Sequence, residues 1–156
     1  MRRDPSLIPL SRQHQHALAL CVRIERALEA SAADMRTWQL EMRQLYANEV
    51  QFHFAAEEAI LFPTARRFPE LASLVEELIG EHERLREYFA LAKQGTMSEV
   101  TVAMFATLLS GHIRKEERQL FEGMQKMMRP EELESMGKAL ARVLANSTQA
   151  CRIDDQ

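Results

Sequence analysis

Glycine and proline are scarce, five of each in 156 residues. A chain with so few turn formers is not a set of many short strands joined by tight turns. Aromatic residues make up only 6%. Cysteine is limited to Cys21 and Cys151, far apart and with no CxxC. That excludes a disulfide framework and a thiolate zinc site, and the expectation is two free thiols in a reducing cytoplasm. No stretch approaches the about 18 uncharged apolar residues that a membrane helix needs. The opening MRRDPSLIP has two arginines but no apolar run behind them, so it does not read as a secretory signal. Nor is there a basic excess: charged residues are 28% and net to −3. A nucleic-acid footprint, which needs clustered cations, is therefore not expected.

What is present is Ala, Leu, Met, Glu and Arg, a helix-forming composition with 46% apolar residues. The length suits one domain with a real core. Residues 1–9 read as an extended lead-in, with Pro5 and Pro9 blocking a helix start before Leu10. Ser11 is the predicted N-cap of a first helix to about Ala30, with the stripe Leu10, Ala17, Cys21, Ile24, Leu28. His14 falls on that stripe, and His16 stands beside it as the reserve. Asp34 is the predicted cap of a second helix from about Met35 to Phe62, which Pro63 ends or kinks. Its inner face leads through Trp38, Met42, Leu45, Tyr46 and Val50 to His53 and Glu57. Pro69 opens a third helix, with Leu71, Val75, Leu78, His82, Leu85 and Phe89 in register. Gly95 marks a turn and Ser98 caps a fourth helix, whose stripe runs Val102, Phe105, Leu109, His112, Glu116, Leu120. A fifth helix is predicted from about Glu131 to Ala145. The fold expected is all-α: an up-down-up-down antiparallel four-helix bundle with a short extra C-terminal helix, over residues 10–146, and a polar tail over 147–156.

Two stretches carry the chemistry. QFHFAAEEAILFP (Gln51–Pro63) and GHIRKEERQLF (Gly111–Phe121) both read His-x-x-x-Glu-Glu followed by an apolar pair. Positions four apart share a helix face, so His53 stacks with Glu57 and His112 with Glu116. His14 and His82 add imidazoles from two further helices. A lone histidine on an apolar stripe is usually core filling. Two carboxylates on inner stripes are another matter, because an uncompensated buried charge costs several kcal/mol. No lysine or arginine on those stripes is placed to pair with them. A two-metal centre relieves the difficulty, with imidazole and carboxylate donors suited to iron, manganese or zinc. Two histidines per ion and two shared carboxylates leave each ion short of six ligands, as O₂, peroxide or NO chemistry on iron requires. The ferritin-like pattern places glutamate first in Glu-x-x-His; here histidine comes first and the spacing is four.

The ordered set LSRQH (Leu10–His14), HFAAEE (His53–Glu58), GEH (Gly80–His82) and HIRKEE (His112–Glu117) resembles the hemerythrin-like, cation-binding HHE domain, over about residues 10–125. The resemblance implies a four-helix bundle with an oxo- or hydroxo-bridged non-haem di-iron centre. Carried over, His14 and His53 would ligate one iron, His82 and His112 the other, and Glu57 and Glu116 would bridge. The oxygen-carrying members have a second histidine one turn from the third-helix one, where this chain has Leu78 and Arg86. They also have His-x-x-x-x-Asp in the fourth helix, whereas Glu116 follows His112 by four and Glu117 by five. The four-His, two-Glu set is closer to bacterial proteins that repair nitrosatively damaged iron centres, although a cysteine-bearing N-terminal domain like theirs is not expected here. Binding or sensing of O₂, NO or a related oxidant is the expected function. Iron handling, iron-centre repair and peroxide reduction are the alternatives. Glu58 and Glu117 are expected to face solvent or adjacent helices. Glu81 is expected to be a solvated helix charge, though it could support a ligand histidine. Tyr46 is expected to be ordinary packing.

Overall fold

The computed structural model describes the backbone of residues 1–32 and 34–153, with the side chains of 1–32 and 34–145. The chain is all-helical, and no strand occurs among the described residues. Five helices follow one another: α1 (Ile8–Glu29), α2 (residues 35–66), α3 (Pro69–Gln94), α4 (residues 99–127) and α5 (Pro130–Ile153). None is long and apolar enough to cross a membrane.

The first helix begins earlier than the sequence suggested. Pro9 sits inside its first turn, where a missing N–H costs nothing. Ser11 is therefore not a cap, and its hydroxyl donates instead to Glu117 Oε1 on α4 at 2.6 Å. Asp34 does cap α2, accepting from the amides of Arg36 and Thr37. Pro63 does not end α2, which continues to Arg66. Ser98 caps α4 through the Thr101 amide, and Gly95 closes α3 with φ 72°, a left-handed position that favours glycine. The fifth helix is 24 residues long, not short. The expected polar tail over 147–156 lies outside the residues whose side chains are described, as does Cys151.

Two helices contain π turns. In α2 these are Tyr46–Val50 and Glu57–Leu61, and in α4 it is Glu116–Leu120. Such wide turns in an α-helix are uncommon and tend to occur at functional sites. Two of the three begin at Glu57 and Glu116. The Pro63 ring, which removes one helical hydrogen bond, follows directly on the second of the π turns in α2.

Packing joins α1 to α4, α2 to α3 and α3 to α4, with α5 laid against the middle of α2. The apolar interior is in two parts. One gathers Leu7, Leu10, Ala56, Leu61, Phe62, Leu78, Leu120, Phe121 and, from α5, Leu133, Met136 and Leu140. The other gathers Ala17, Ile24, Met42, Phe54, Leu85, Phe89, Phe105 and Leu109. Between them lies a polar layer. On α1 it falls between Leu10 and Ala17, and on α3 between Leu78 and Leu85. The apolar clusters on either side hold this layer at one depth and away from water.

Candidate metal centre

Six buried side chains meet in that layer: His14, His53, Glu57, His82, His112 and Glu116. Helical spacing puts His53 Nε2 2.8 Å from Glu57 Oε1 and His112 Nε2 3.2 Å from Glu116 Oε1. Tertiary packing adds the rest. His14 Nε2 lies 3.0 Å from Glu116 Oε2, and His82 Nε2 lies 3.2 Å from Glu57 Oε2. His14 and His53 approach Nε2 to Nε2 at 3.1 Å. Two overlapping sets of donors result, each with ligand atoms within 4.8 Å of one another: His14, His53, Glu57, Glu116, and His82, His112, Glu57, Glu116. Both carboxylates belong to both sets.

His16 does not reach this layer. Its side chain is 63% exposed and pairs with Glu49 at 2.8 Å. Glu117, the alternative to Glu116, lies outside the inner cluster and meets the far side of His14.

The outer nitrogens show an order that helical periodicity did not disclose. His14 Nδ1 donates to Glu117 at 2.7 Å, His82 Nδ1 to Glu58 at 2.9 Å, His112 Nδ1 to Glu81 at 2.9 Å and His53 Nδ1 to Gln13 at 2.7 Å. Each acceptor is an oxygen, so Nδ1 carries the hydrogen and Nε2 is left facing the centre. Of the two surroundings expected for Glu58 and Glu117, solvent or adjacent helices, the structure has the second, and the expectation that Glu81 is a solvated charge is corrected here. Glu81 is buried, and all three carboxylates orient imidazoles. Each also meets a cation on its other side. Arg86 forks onto Glu58 at 2.7 and 2.9 Å, Arg3 meets Glu117 at 2.6 Å, and Lys115 meets Glu81. These cations offset the cost of bringing carboxylates close to the core.

An internal twofold relation runs through the pattern. Glu57 and Glu58 take the two nitrogens of His82, and Glu116 and Glu117 take the two of His14. The residue before each of those histidines, Gln13 or Glu81, takes Nδ1 of the remaining one. Phe121 stacks on His14 and Phe62 packs against His82. The sequence held a signal for this in Gln13-His14 and Glu81-His82, and in the doubled glutamates. Which helix each would face was not local information. Tyr46 packs on Phe89 with ring centroids 4.8 Å apart and does not border the centre.

Electrostatics follow the geometry. Burial alone lowers the His14 pKa, but contacts with Glu116 and Glu117 and the charges of Glu116 and Glu57 outweigh it and raise it to about 9. His112 is raised to about 10, its burial overcome by Glu116, Glu81 and Glu57. His82 is raised in the same way by Glu57 and Glu58. Burial pushes the Glu57 carboxyl up, as does the charge of Glu116, yet His53 and His82 hold it below its ordinary value. Glu116 is held well below by His112 and His14 against its burial. Contact with His82 draws Glu58 down to about 2, with Arg86 assisting.

Proximity has not satisfied these atoms. Both oxygens of Glu57, both of Glu116, and Nε2 of His82 and His112 are buried and lack a hydrogen bond of acceptable geometry. Orphaned buried polar atoms are costly and call for an explanation. Among the described residues no lysine or arginine reaches Glu57 or Glu116. Carboxylate and imidazole atoms that converge this closely yet leave Glu57, Glu116, His82 and His112 without well-aligned hydrogen bonds suit a pair of cations between them. The donor set, four imidazoles and two carboxylates without thiolate, fits a metal of the iron, manganese or zinc group. Beside the His14 and His53 donors is a cavity of about 20 Å³, walled by Ala17, Val50, Phe54, Leu109 and Ile113. A water-sized molecule fits it; a larger substrate does not.

The family model described as hemerythrin HHE cation binding domain matches residues 9–123. No curated protein matches the chain, and no solved structure does.

Proposed function

The chain belongs to the hemerythrin HHE cation-binding family, and from that premise we propose that it is a non-haem di-iron protein that binds or senses O₂, NO or a related small oxidant. The observation that carries this is the set of orphaned buried atoms on Glu57, Glu116, His82 and His112, shared between two donor groups. His14 and His53 would hold one ion and His82 and His112 the other, with Glu57 and Glu116 between both. The two irons would supply redox chemistry and open coordination positions for a small ligand.

The protein's own part is arrangement. Glu117, Glu58, Glu81 and Gln13 fix the imidazole rings through Nδ1 and keep Nε2 inward. Phe54 stacks on His82 at 3.8 Å between centroids and, with Phe62 and Phe121, keeps bulk water from the layer. The small apolar-walled cavity limits what can approach to molecules of diatomic size. Along α1 and α3 the chain passes from the first apolar cluster to the second, and along α2 and α4 from the second to the first. That alternation supports an up-down-up-down antiparallel arrangement of the four bundle helices. Cys21 is buried with its thiol pushed up to about 12, chiefly by burial, as suits an inert thiol in a reducing cytoplasm.

Metal analysis of protein isolated from its native cells, with visible spectra in air and under NO, tests the reading. Two irons per chain and reversible spectral change on ligand addition are expected. Absence of bound iron sinks it. Sustained turnover of peroxide, or iron passed on to an acceptor, moves the assignment to the enzymatic or iron-handling alternative.

A further inference from the structure

The internal twofold relation is broken at one place among the imidazole supports. Glu81, before His82, accepts from His112 Nδ1, and its counterpart before His14 is the neutral Gln13, which accepts from His53 Nδ1. The His82 and His112 rings therefore both lean on carboxylates, Glu58 and Glu81. Of the other pair, only His14 does, through Glu117. A carboxylate accepting from Nδ1–H draws the proton towards itself and makes Nε2 a stronger donor, whereas an amide oxygen does so much less.

We infer that Gln13 makes the two metal positions unequal: the position at His82 and His112 is the tighter, and the one at His14 and His53 is the weaker and more readily exchanged. This rests on the two-ion reading above. Gln13 acts through His53 and is a positioning residue. The cavity bears on the consequence, for it is lined by Gln13 and by both His14 and His53, and from the other position by His112 but not His82. Both imidazoles of the weaker position, and one of the tighter, border the space where a small ligand fits. Gln13 is only half-buried, so a glutamate there can be hydrated and the exchange is tolerable. The other three supports, Glu117, Glu58 and Glu81, each carry a cation, whereas Gln13 is a neutral amide.

The test is stepwise Co²⁺ titration of the metal-free full chain, followed by visible absorption and circular dichroism. His53→Ala should remove the weaker step and His82→Ala the tighter one, which assigns the steps. Gln13→Glu should then tighten the weaker step alone by about tenfold or more, the range by which supporting residues alter metal affinity. Glu81→Gln should weaken the tighter step alone by a similar factor. The double exchange Gln13→Glu with Glu81→Gln should reverse the order of filling while leaving the fold intact by far-ultraviolet circular dichroism. A merely structural role would shift both steps together. Two steps that ignore both single exchanges, or that move together, overturn the inference and leave the two-ion reading standing. A wild-type chain that takes up no Co²⁺ overturns the two-ion reading itself and this inference with it.

Discussion

Metal binding should expel protons, and the number can be worked from the site. Metal coordination needs the Nε2 lone pair of each imidazole, yet His14 and His112 have pKa values of about 9 and about 10 in the metal-free fold. At pH 7 a group with pKa 9 is about 99% protonated. Both rings are therefore imidazolium before metal arrives and must be neutral afterwards. His82 is shifted in the same direction and adds to the count. Uptake of two ions should release about two to three protons, so the logarithm of apparent affinity for the pair climbs by about two or more per pH unit below pH 9. The same shifts govern the metal-free fold. Both folded values lie above the imidazole reference of 6.5, so their stabilisation is fully present below pH 6.5 and is lost as pH rises through 9 to 10. The amounts are roughly 3 kcal/mol for His14 and roughly 5 kcal/mol for His112, taken from the imidazole side only, since the same contacts keep Glu57 and Glu116 ionised. Calorimetric titration with Fe²⁺ or Co²⁺ in buffers of different ionisation enthalpy counts the protons. Thermal unfolding at pH 6.5 and pH 10, with and without metal, reads the stability. No proton release, together with metal-free stability flat across that range, would refute the reasoning.

Other outcomes follow from single side chains. His53→Ala or His112→Ala should lower iron occupancy far more than His16→Ala, because His16 is exposed and pairs with Glu49 away from the polar layer; metal analysis of the purified variants decides. Glu57→Ala removes a donor common to both sets and should leave at most one ion per chain, so two retained ions would exclude its bridging place. Ala17→Leu should fill the 20 Å³ cavity, keep the metal and abolish the spectral response to NO, at a stability cost of about 1–3 kcal/mol for overpacking. Gly137→Ala would set a Cβ 2.8 Å from Ser6 Cα and 2.5 Å from its Cβ. It should lift the N-terminal segment off α5 and lower thermal stability by about 1–3 kcal/mol, read by calorimetry.

The helices were legible because their stripes, caps and breaks are local. The Asp34 and Ser98 caps, the Pro69 start and the Gly95 turn all stand where short-range rules put them. The errors were local rules applied too strictly. Pro9 is an acceptable first-turn residue rather than a barrier, and of the two outcomes expected at Pro63, an end or a kink, the end does not occur, since α2 runs on to Arg66. The π turns that begin at Glu57 and Glu116 follow no cap, proline or glycine rule, so nothing local announced them.

His53 with Glu57 and His112 with Glu116 are four apart on one helix, so the backbone alone makes each a pair, and the amino-acid order sufficed to name them. Everything that crosses between helices waited for packing: Gln13 to His53, Glu58 to His82, Glu81 to His112 and Glu117 to His14. Those partners depend on how far each helix is turned about its axis and how deep it lies against its neighbours. Side-chain packing above and below the polar layer sets those two quantities, and no spacing within one helix contains them.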